Sequence, residues 1–166
     1  MKIFLVGMPG SGKSTIGQQL ASSLAMDFVD LDAAIQEAEG SSIDEIFKTK
    51  GEEHFRLIES QMLRLWIGSD QSLVLSTGGG TPCFYNGIEV INNAGLSIFL
   101  DEGVSVLIER LKNNMDRPLL KTTDLGEMRA KLEKIRADRL SCYEKASITV
   151  RAATLSKIMK AIKLRS

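Results

Sequence analysis

KIFLVGMPGSGKST, residues 2–15, decides the fold. Its opening, residues 2–6, is a short apolar run of the kind buried on both faces of a parallel sheet. Gly7 to Ser14 then match G-x-x-x-x-G-K-[ST] without a gap, and a helical pattern begins at once. Glycines let such a loop approach phosphates closely, and its successive N–H groups, with the positive end of the following helix, attract a β-phosphate. In this pattern Lys13 carries a positive charge to the β- and γ-phosphates, and the Ser14 hydroxyl is placed for Mg²⁺. The competing reading is a glycine-rich strand-to-helix turn that binds nothing. A complete motif in the required strand–helix context argues against it.

Outward from this stretch, strands and helices alternate. Residues 14–24 read as a helix, 27–31 as a second strand, and 33–39 and 43–66 as helical, with an interruption near Gly51. Residues 72–77 form a third strand that stops at three glycines, and 96–100 a fourth, followed by a helix over 104–112. A polar stretch over 113–124 precedes a long helix from 125 to about 143, a weaker strand over 147–150 and a closing helix over 155–164. Strands separated by helices pair in parallel through right-handed crossovers, which predicts a three-layer α/β/α sandwich. Ligands in such sheets bind beyond the carboxyl ends of the strands, where the loop motifs fall.

Bulk properties narrow the function. The chain has 166 residues, 21 Lys plus Arg against 21 Asp plus Glu, and no net charge. That balance argues against nucleic acid or an anionic membrane as the main partner. The N-terminal apolar run is too short for a signal peptide, and no stretch is long enough to span a bilayer. Cys83, Cys142 and the single His54 make neither a disulfide framework nor a zinc site, and none is given a functional role. A reducing cytoplasm is the expected location, and one domain over residues 1–166, acting as a monomer, the expected organisation.

A phosphate loop alone does not name a reaction. The third strand runs into Gly78 without the acidic residue that many such proteins place there for Mg²⁺, and no guanine-reading Asn-Lys-x-Asp element is present. Carboxylates are available instead in Asp30-Leu31-Asp32, where residues two apart in an extended segment face one way. One could hold metal-bound water and the other accept a proton from an alcohol. Alternatively Asp32 only N-caps the next helix. Arg56 and Glu59 are three apart on a helix; spacing alone favours a surface ion pair over a buried fork for an anionic substrate. Gly78-Gly79-Gly80 fits a plain turn and a bare-backbone ligand shelf equally. Asn113 to Leu120 is either a loop or a lid that brings Arg117 to the transferring phosphate. Arg139 and Tyr143 have the spacing of a packing pair.

Taken together, GMPGSGKSTIGQQLA (residues 7–21), FVDLD (28–32), GEEHFRLIES (51–60), STGGGT (76–81), DRPLL (116–120) and RLSCYEKA (139–146) resemble the shikimate kinase family. The resemblance implies a P-loop kinase with a five-stranded parallel sheet in the order 2-3-1-4-5, a substrate-binding helical segment at about 32–61 and a lid at about 112–124. It implies transfer of the ATP γ-phosphate to the shikimate 3-hydroxyl, with one Mg²⁺ accompanying ATP. Asp32 would bind the acceptor hydroxyls and act as base, assisted by Lys13 and Arg117, while Ser14 and Asp30 would serve the metal. ATP would lie against Gly10, Ser11, Gly12, Lys13, Ser14 and Thr15, with Arg110 beside the adenine and Arg117 over the phosphates. Arg56 and Arg139 would pair with the shikimate carboxylate, Gly78, Gly79 and Gly80 would line its ring, and Phe47 and Phe55 would flank it. Where the family often carries Pro-Leu before the final tyrosine, this chain has Ser141-Cys142, and the residues after Val150 follow no family pattern. The alternatives are a gluconate-type or nucleotide kinase of the same group, or a nucleotide-binding module without catalysis.

Overall fold

A computed structural model describes residues 1–112 and 124–165. Five strands, β1 (Lys2–Val6), β2 (Asp27–Asp30), β3 (Leu73–Ser76), β4 (Leu96–Asp101) and β5 (Ile148–Arg151), form one sheet in the order β2-β3-β1-β4-β5. Every pairing is parallel, with β1 at the centre between β3 and β4. Between them run α1 (Lys13–Leu24), α2 (Leu31–Glu39), α3 (Ile43–Gly68), a 3₁₀ turn (Thr81–Cys83), α4 (Gly87–Ala94), α5 (Val104–Leu111), α6 (Leu125–Tyr143) and α7 (Leu155–Lys163).

The two-residue period of β1 builds both halves of the core. Ile3 and Leu5 join Val74, Ile98 and Leu100 against Leu20 and Ala21 of α1 and Ile158 of α7. Phe4 and Val6 point the other way, with Leu75 and Phe99, against Ile35, Leu63, Ile91, Leu107 and Leu132 from α2 to α6. Helices thus cover both faces, and the expected three-layer sandwich and strand order are those observed. Because the strands are parallel, their carboxyl ends open on one edge, where Gly7, Asp30 and Thr77 leave the sheet side by side.

Two differences from the sequence reading have physical causes. Helix α4 has no counterpart in that reading. Only Ile88 and Ile91 give it an apolar face, and it starts from Asn86 at φ 56° without a side-chain cap. The second strand stops at Asp30, so Leu31 and Asp32 are already helical. The cap of α2 is therefore Asp30, whose Oδ1 accepts from Ala33 N at 3.2 Å, and not Asp32. The interruption expected near Gly51 is present, with that residue at φ 85° and ψ 169° inside α3. Ahead of it, Ser42 and Glu45 close a reciprocal capping box that starts α3. Among the described residues no helix is long and apolar enough to cross a membrane.

Candidate active site

At the end of β1 the chain turns through Gly7 to Gly12 and enters α1. Gly12 is the N-cap, at φ 91°, and it has no side chain with which to cap. The first N–H groups of α1 are therefore left for whatever occupies the space before them, and the positive end of the helix points the same way. That space is a cleft of about 570 Å³ lined by Gly10, Gly12, Lys13, Ser14 and Thr15 on one side and by Asp30, Asp32 and Gly79 on the other. Lys13 is buried and folds back over the loop, donating to the carbonyls of Gly7 and Met8 at 2.9 Å each. Ser11 turns its side chain inward, beneath the loop, rather than into the cleft. Arg110 reaches across from α5 to donate to the Gly10 carbonyl at 3.2 Å and lines the cleft mouth.

The two carboxylates of the DLD segment both line this cleft, although the reason differs from the one the sequence suggested. Residues 31 and 32 are helical, so it is the strand-to-helix corner, and not an extended segment, that brings Asp30 and Asp32 to one space. Asp30 caps α2 with one oxygen and with the other accepts from the Ser14 hydroxyl at 2.5 Å. Ser76, at the end of β3, lies 3.3 Å from the same hydroxyl. Asp32 sits in the first turn of α2 against Gly78, so close that a Cβ on that glycine would lie 2.9 Å from its Oδ1.

Beyond Asp32 lies a buried polar assembly. Arg56 and Glu59, expected at the surface on spacing, are only 4% and 2% exposed. Arg56 Nη1 donates to Glu59 Oε2 at 2.8 Å, and its Nε and Nη2 both reach Glu52 Oε1 at 3.3 Å. The second oxygen of Glu59 accepts from the Thr81 hydroxyl at 2.6 Å. Three rings surround the guanidinium, Phe84 at 4.4 Å, Phe55 at 5.2 Å and Phe47 at 6.0 Å from their centroids. Gly78, Gly79 and Gly80 run through this assembly. A Cβ on Gly80 would enter the Arg56 guanidinium, and one on Gly79 would press on Pro9 at 3.0 Å and Arg139 at 3.2 Å. Tyr143, fully buried, donates to the Gly79 carbonyl at 2.5 Å and stacks on Phe99 at 5.2 Å, so its spacing from Arg139 reflects both packing and a polar contact. Burial holds its phenol above the ordinary range, against the pull of Arg139.

Phosphate loop, carboxylate corner and glycine–arginine assembly thus meet at one edge of the sheet. The comparisons with known proteins give the family and the fold. A family model described as shikimate kinase matches residues 9–164. The chain belongs to the shikimate kinase family. It is 40% identical over 162 residues to a shikimate kinase from Sulfurihydrogenibium sp. (strain YO3AOP1), covering 96% of this chain and 94% of that protein. The structure of an Acinetobacter baumannii shikimate kinase in complex with shikimate superposes with a TM-score of 0.92 at 30% identity, over 99% of this chain and 94% of that one. A Bacteroides thetaiotaomicron shikimate kinase gives 0.88 at 31% identity, over 99% and 96%. The family is one of ATP-using kinases acting on a small molecule.

Of the residues singled out from sequence, Gly10, Gly12, Lys13, Ser14, Thr15, Asp30, Asp32, Gly79 and Arg110 line a single cleft. Arg56, Phe47, Phe55, Gly78, Gly80 and Arg139 stand behind or beside Gly79 rather than along that lining. Arg117, with most of the lid, lies outside the described residues. Gln36, Ser76 and Thr77 also line the cleft, and Phe84 stacks on Arg56. None of these four was legible in advance. Ser76 and Thr77 could have been found as the last residues before the glycines at a strand's carboxyl end; Phe84 offered no pattern.

Proposed function

We propose that the cleft transfers the γ-phosphoryl group of ATP to the 3-hydroxyl of shikimate, with Asp32 as the base. The observation that carries this reading is the opposition, across one cleft, of the uncapped start of α1 and the Asp32 carboxylate, with the buried Arg56–Glu59 pair beyond it. A hydroxyl lying on Gly79 beside Asp32 would have its proton accepted by that carboxylate as its oxygen attacks the γ-phosphorus in line. The N–H groups of residues 10–15 and the Lys13 ammonium would hold the β- and γ-phosphates and stabilise the charge that moves onto the leaving β-oxygen. For this, Lys13 exchanges the carbonyls of Gly7 and Met8 for phosphate oxygens. Arg56 and Arg139, on either side of the glycines, are the charges suited to the acceptor's carboxylate.

The donor set also fits Mg²⁺. Ser14 and Asp30 offer a hydroxyl and a carboxylate oxygen within 2.5 Å of each other, both in the cleft. Among the described residues no cluster of three acidic, His or Cys side chains forms a dedicated cage, which suits an ion held mainly by phosphates and water. When bound, the ion neutralises phosphate charge; Ser14 would ligate it directly and Asp30 through water. The acting unit is taken to be a monomer of one domain over residues 1–166, with residues 32–61 as the acceptor-binding segment. A reducing cytoplasm suits its two free thiols.

Coupled ADP release with Mg·ATP tests the reaction, with shikimate set against gluconate, a nucleoside monophosphate and no acceptor. Shikimate alone should give turnover; equal rates with gluconate would reject the acceptor assignment. Asp32→Asn should abolish transfer while nucleotide binding stays near normal, and near-normal turnover would reject the base.

A further inference from the structure

Cys83 and Cys142 stand 59 residues apart in sequence (142 minus 83) yet meet in the fold. Cys83 ends the 3₁₀ turn and Cys142 lies next to the end of α6, two elements that pack on one another. The electrostatics of each thiol are set first by the other, and both are half-buried free thiols. The backbone around them is tied to the acceptor side. Tyr143, the residue after Cys142, holds the Gly79 carbonyl, and Cys83 N donates to Gly80 O at 2.9 Å. Arg139 lies one turn before Cys142 on the same helix.

The two thiols are not equivalent. Cys142 is pulled below its ordinary range, first by the S–H of Cys83, then by the ammonium of Lys145 and the guanidinium of Arg139, against burial and Glu89. Cys83 is pushed up, first by its hydrogen bond to Cys142 and then by burial. A thiolate beside a resolving thiol, open enough for a small oxidant to reach, is the arrangement that oxidises selectively.

We propose that Cys83 and Cys142 form an oxidation site for a peroxide-class oxidant, closing to a disulfide that weakens the acceptor side. The Cys142 thiolate attacks one peroxide oxygen; the O–O bond breaks, a sulfenic acid forms, and the leaving hydroxide takes up the proton that Cys142 had released. Sulfur of Cys83 then attacks sulfur of Cys142, the S–O bond breaks, and the departing hydroxyl leaves with the Cys83 proton as water. Two thiols and one peroxide give one disulfide and two waters. Closure brings the sulfurs to about 2.05 Å of one another. The turn after the glycines is thereby pulled toward α6, which disturbs the Tyr143–Gly79 bond and the position of Arg139. The phosphate loop meets these elements at Met8 Sδ, 4.0 Å from the Tyr143 hydroxyl, while its N–H groups at the start of α1 belong to a different element.

The cross-link is read directly, by alkylating the peroxide-treated protein and mapping its peptides without reduction. The expected product is a Cys83–Cys142 peptide pair within one chain, with an intact mass lower by two hydrogens, reversed by dithiothreitol. Alkylation of both thiols after treatment, a link between two chains, or Cys142 carried to a sulfinic acid without a link would each overturn the site. Its effect rests on the function proposed above and is measured separately. Shikimate kcat/KM should fall roughly ten- to a hundredfold on oxidation, as for a misplacement of about 1 Å, with nucleotide binding unchanged. A mapped disulfide with unchanged kcat/KM would overturn the effect and leave the site. Cys83→Ser and Cys142→Ser should retain the basal rate and lose its sensitivity to peroxide; if either fails to fold, Cys142→Ala takes its place. An inactive enzyme that still forms the disulfide would reject the function and keep the site.

Discussion

Gly10 and Gly12, on the phosphate side of the cleft, hold φ at 81° and 91°. Gly78, Gly79 and Gly80, on the acceptor side, are all outside the left-handed region, and Gly80 lies at −92°. Gly12 is glycine because the backbone turns where an L side chain is strained; a Cβ there would reach nothing nearer than the flexible tip of Arg110 at 3.4 Å, whereas one on Gly10 would also meet Leu111 Cγ at 2.9 Å. The second set is glycine because other side chains occupy the space. Arg56, Glu59, Asp32, Arg139 and Pro9 all press on those three Cα atoms. A backbone device thus faces a side-chain device across one cleft, and the two should fail differently.

The largest difference is expected on removing Arg56. Arg56→Ala leaves Glu59, 2% exposed, with Thr81 but without its counter-charge. Breaking a buried pair in this way costs about 3–5 kcal/mol. Thermal unfolding should show a large drop in Tm, and activity assays a raised shikimate KM. A Tm within experimental error of the parent would mean that the acceptor side is not held together by this pair. Next in size is a reversal of residue preference. Gly12→Ala should cost about 1–2 kcal/mol through φ alone, and Gly12→Asn less, since asparagine visits the left-handed region more readily. At Gly80 the order inverts. Alanine drives a Cβ to 2.6 Å from Arg56 Cζ, at about the 1–3 kcal/mol of core overpacking, and the larger asparagine costs more. The Gly12 variants should lose nucleotide affinity and the Gly80 variants shikimate affinity. If asparagine is worse than alanine at both positions, the two devices are one.

The same contrast explains what could be read in advance. A phosphate loop is contiguous, so Gly7 to Ser14 state its backbone geometry in eight adjacent letters, and β1 and α1 supply the context. The sheet was legible for a similar reason: Ile3–Leu5 and Phe4–Val6 alternate between two apolar layers. On the acceptor side the determinants come from three elements. Spacing told only that Arg56 and Glu59 are neighbours on a helix. That they are buried depends on Thr81, Phe84 and the glycines arriving from another part of the chain. Spacing left a cap reading of Asp32 open beside the functional one because one residue of helix separates the two: α2 begins at Leu31, so Asp30 takes the cap and Asp32 is turned into the cleft. Family resemblance supplied the acceptor-side roles that periodicity could not.

The smallest effect, and the most specific, concerns Tyr143. Its ring packs on Phe99 and its hydroxyl holds the Gly79 carbonyl, so Tyr143→Phe removes that hydrogen bond, with the weaker contacts to Met8 Sδ and Arg139, and keeps the packing. The loss should be about 0.5–1.5 kcal/mol, or up to roughly tenfold if expressed in shikimate KM, with the ATP KM unmoved. Alkaline pH separates the hydroxyl from the ring. Burial raises the folded phenol above the value near 10 that it has in the unfolded chain, so its contribution is complete below about pH 10 and lost as pH rises beyond it. Denaturant unfolding at successive alkaline pH values should therefore show the parent losing stability faster than Tyr143→Phe above that point, the two curves running parallel below it. Parallel curves throughout would mean that the phenol is not shielded, and that the glycine shelf is held by the ring alone.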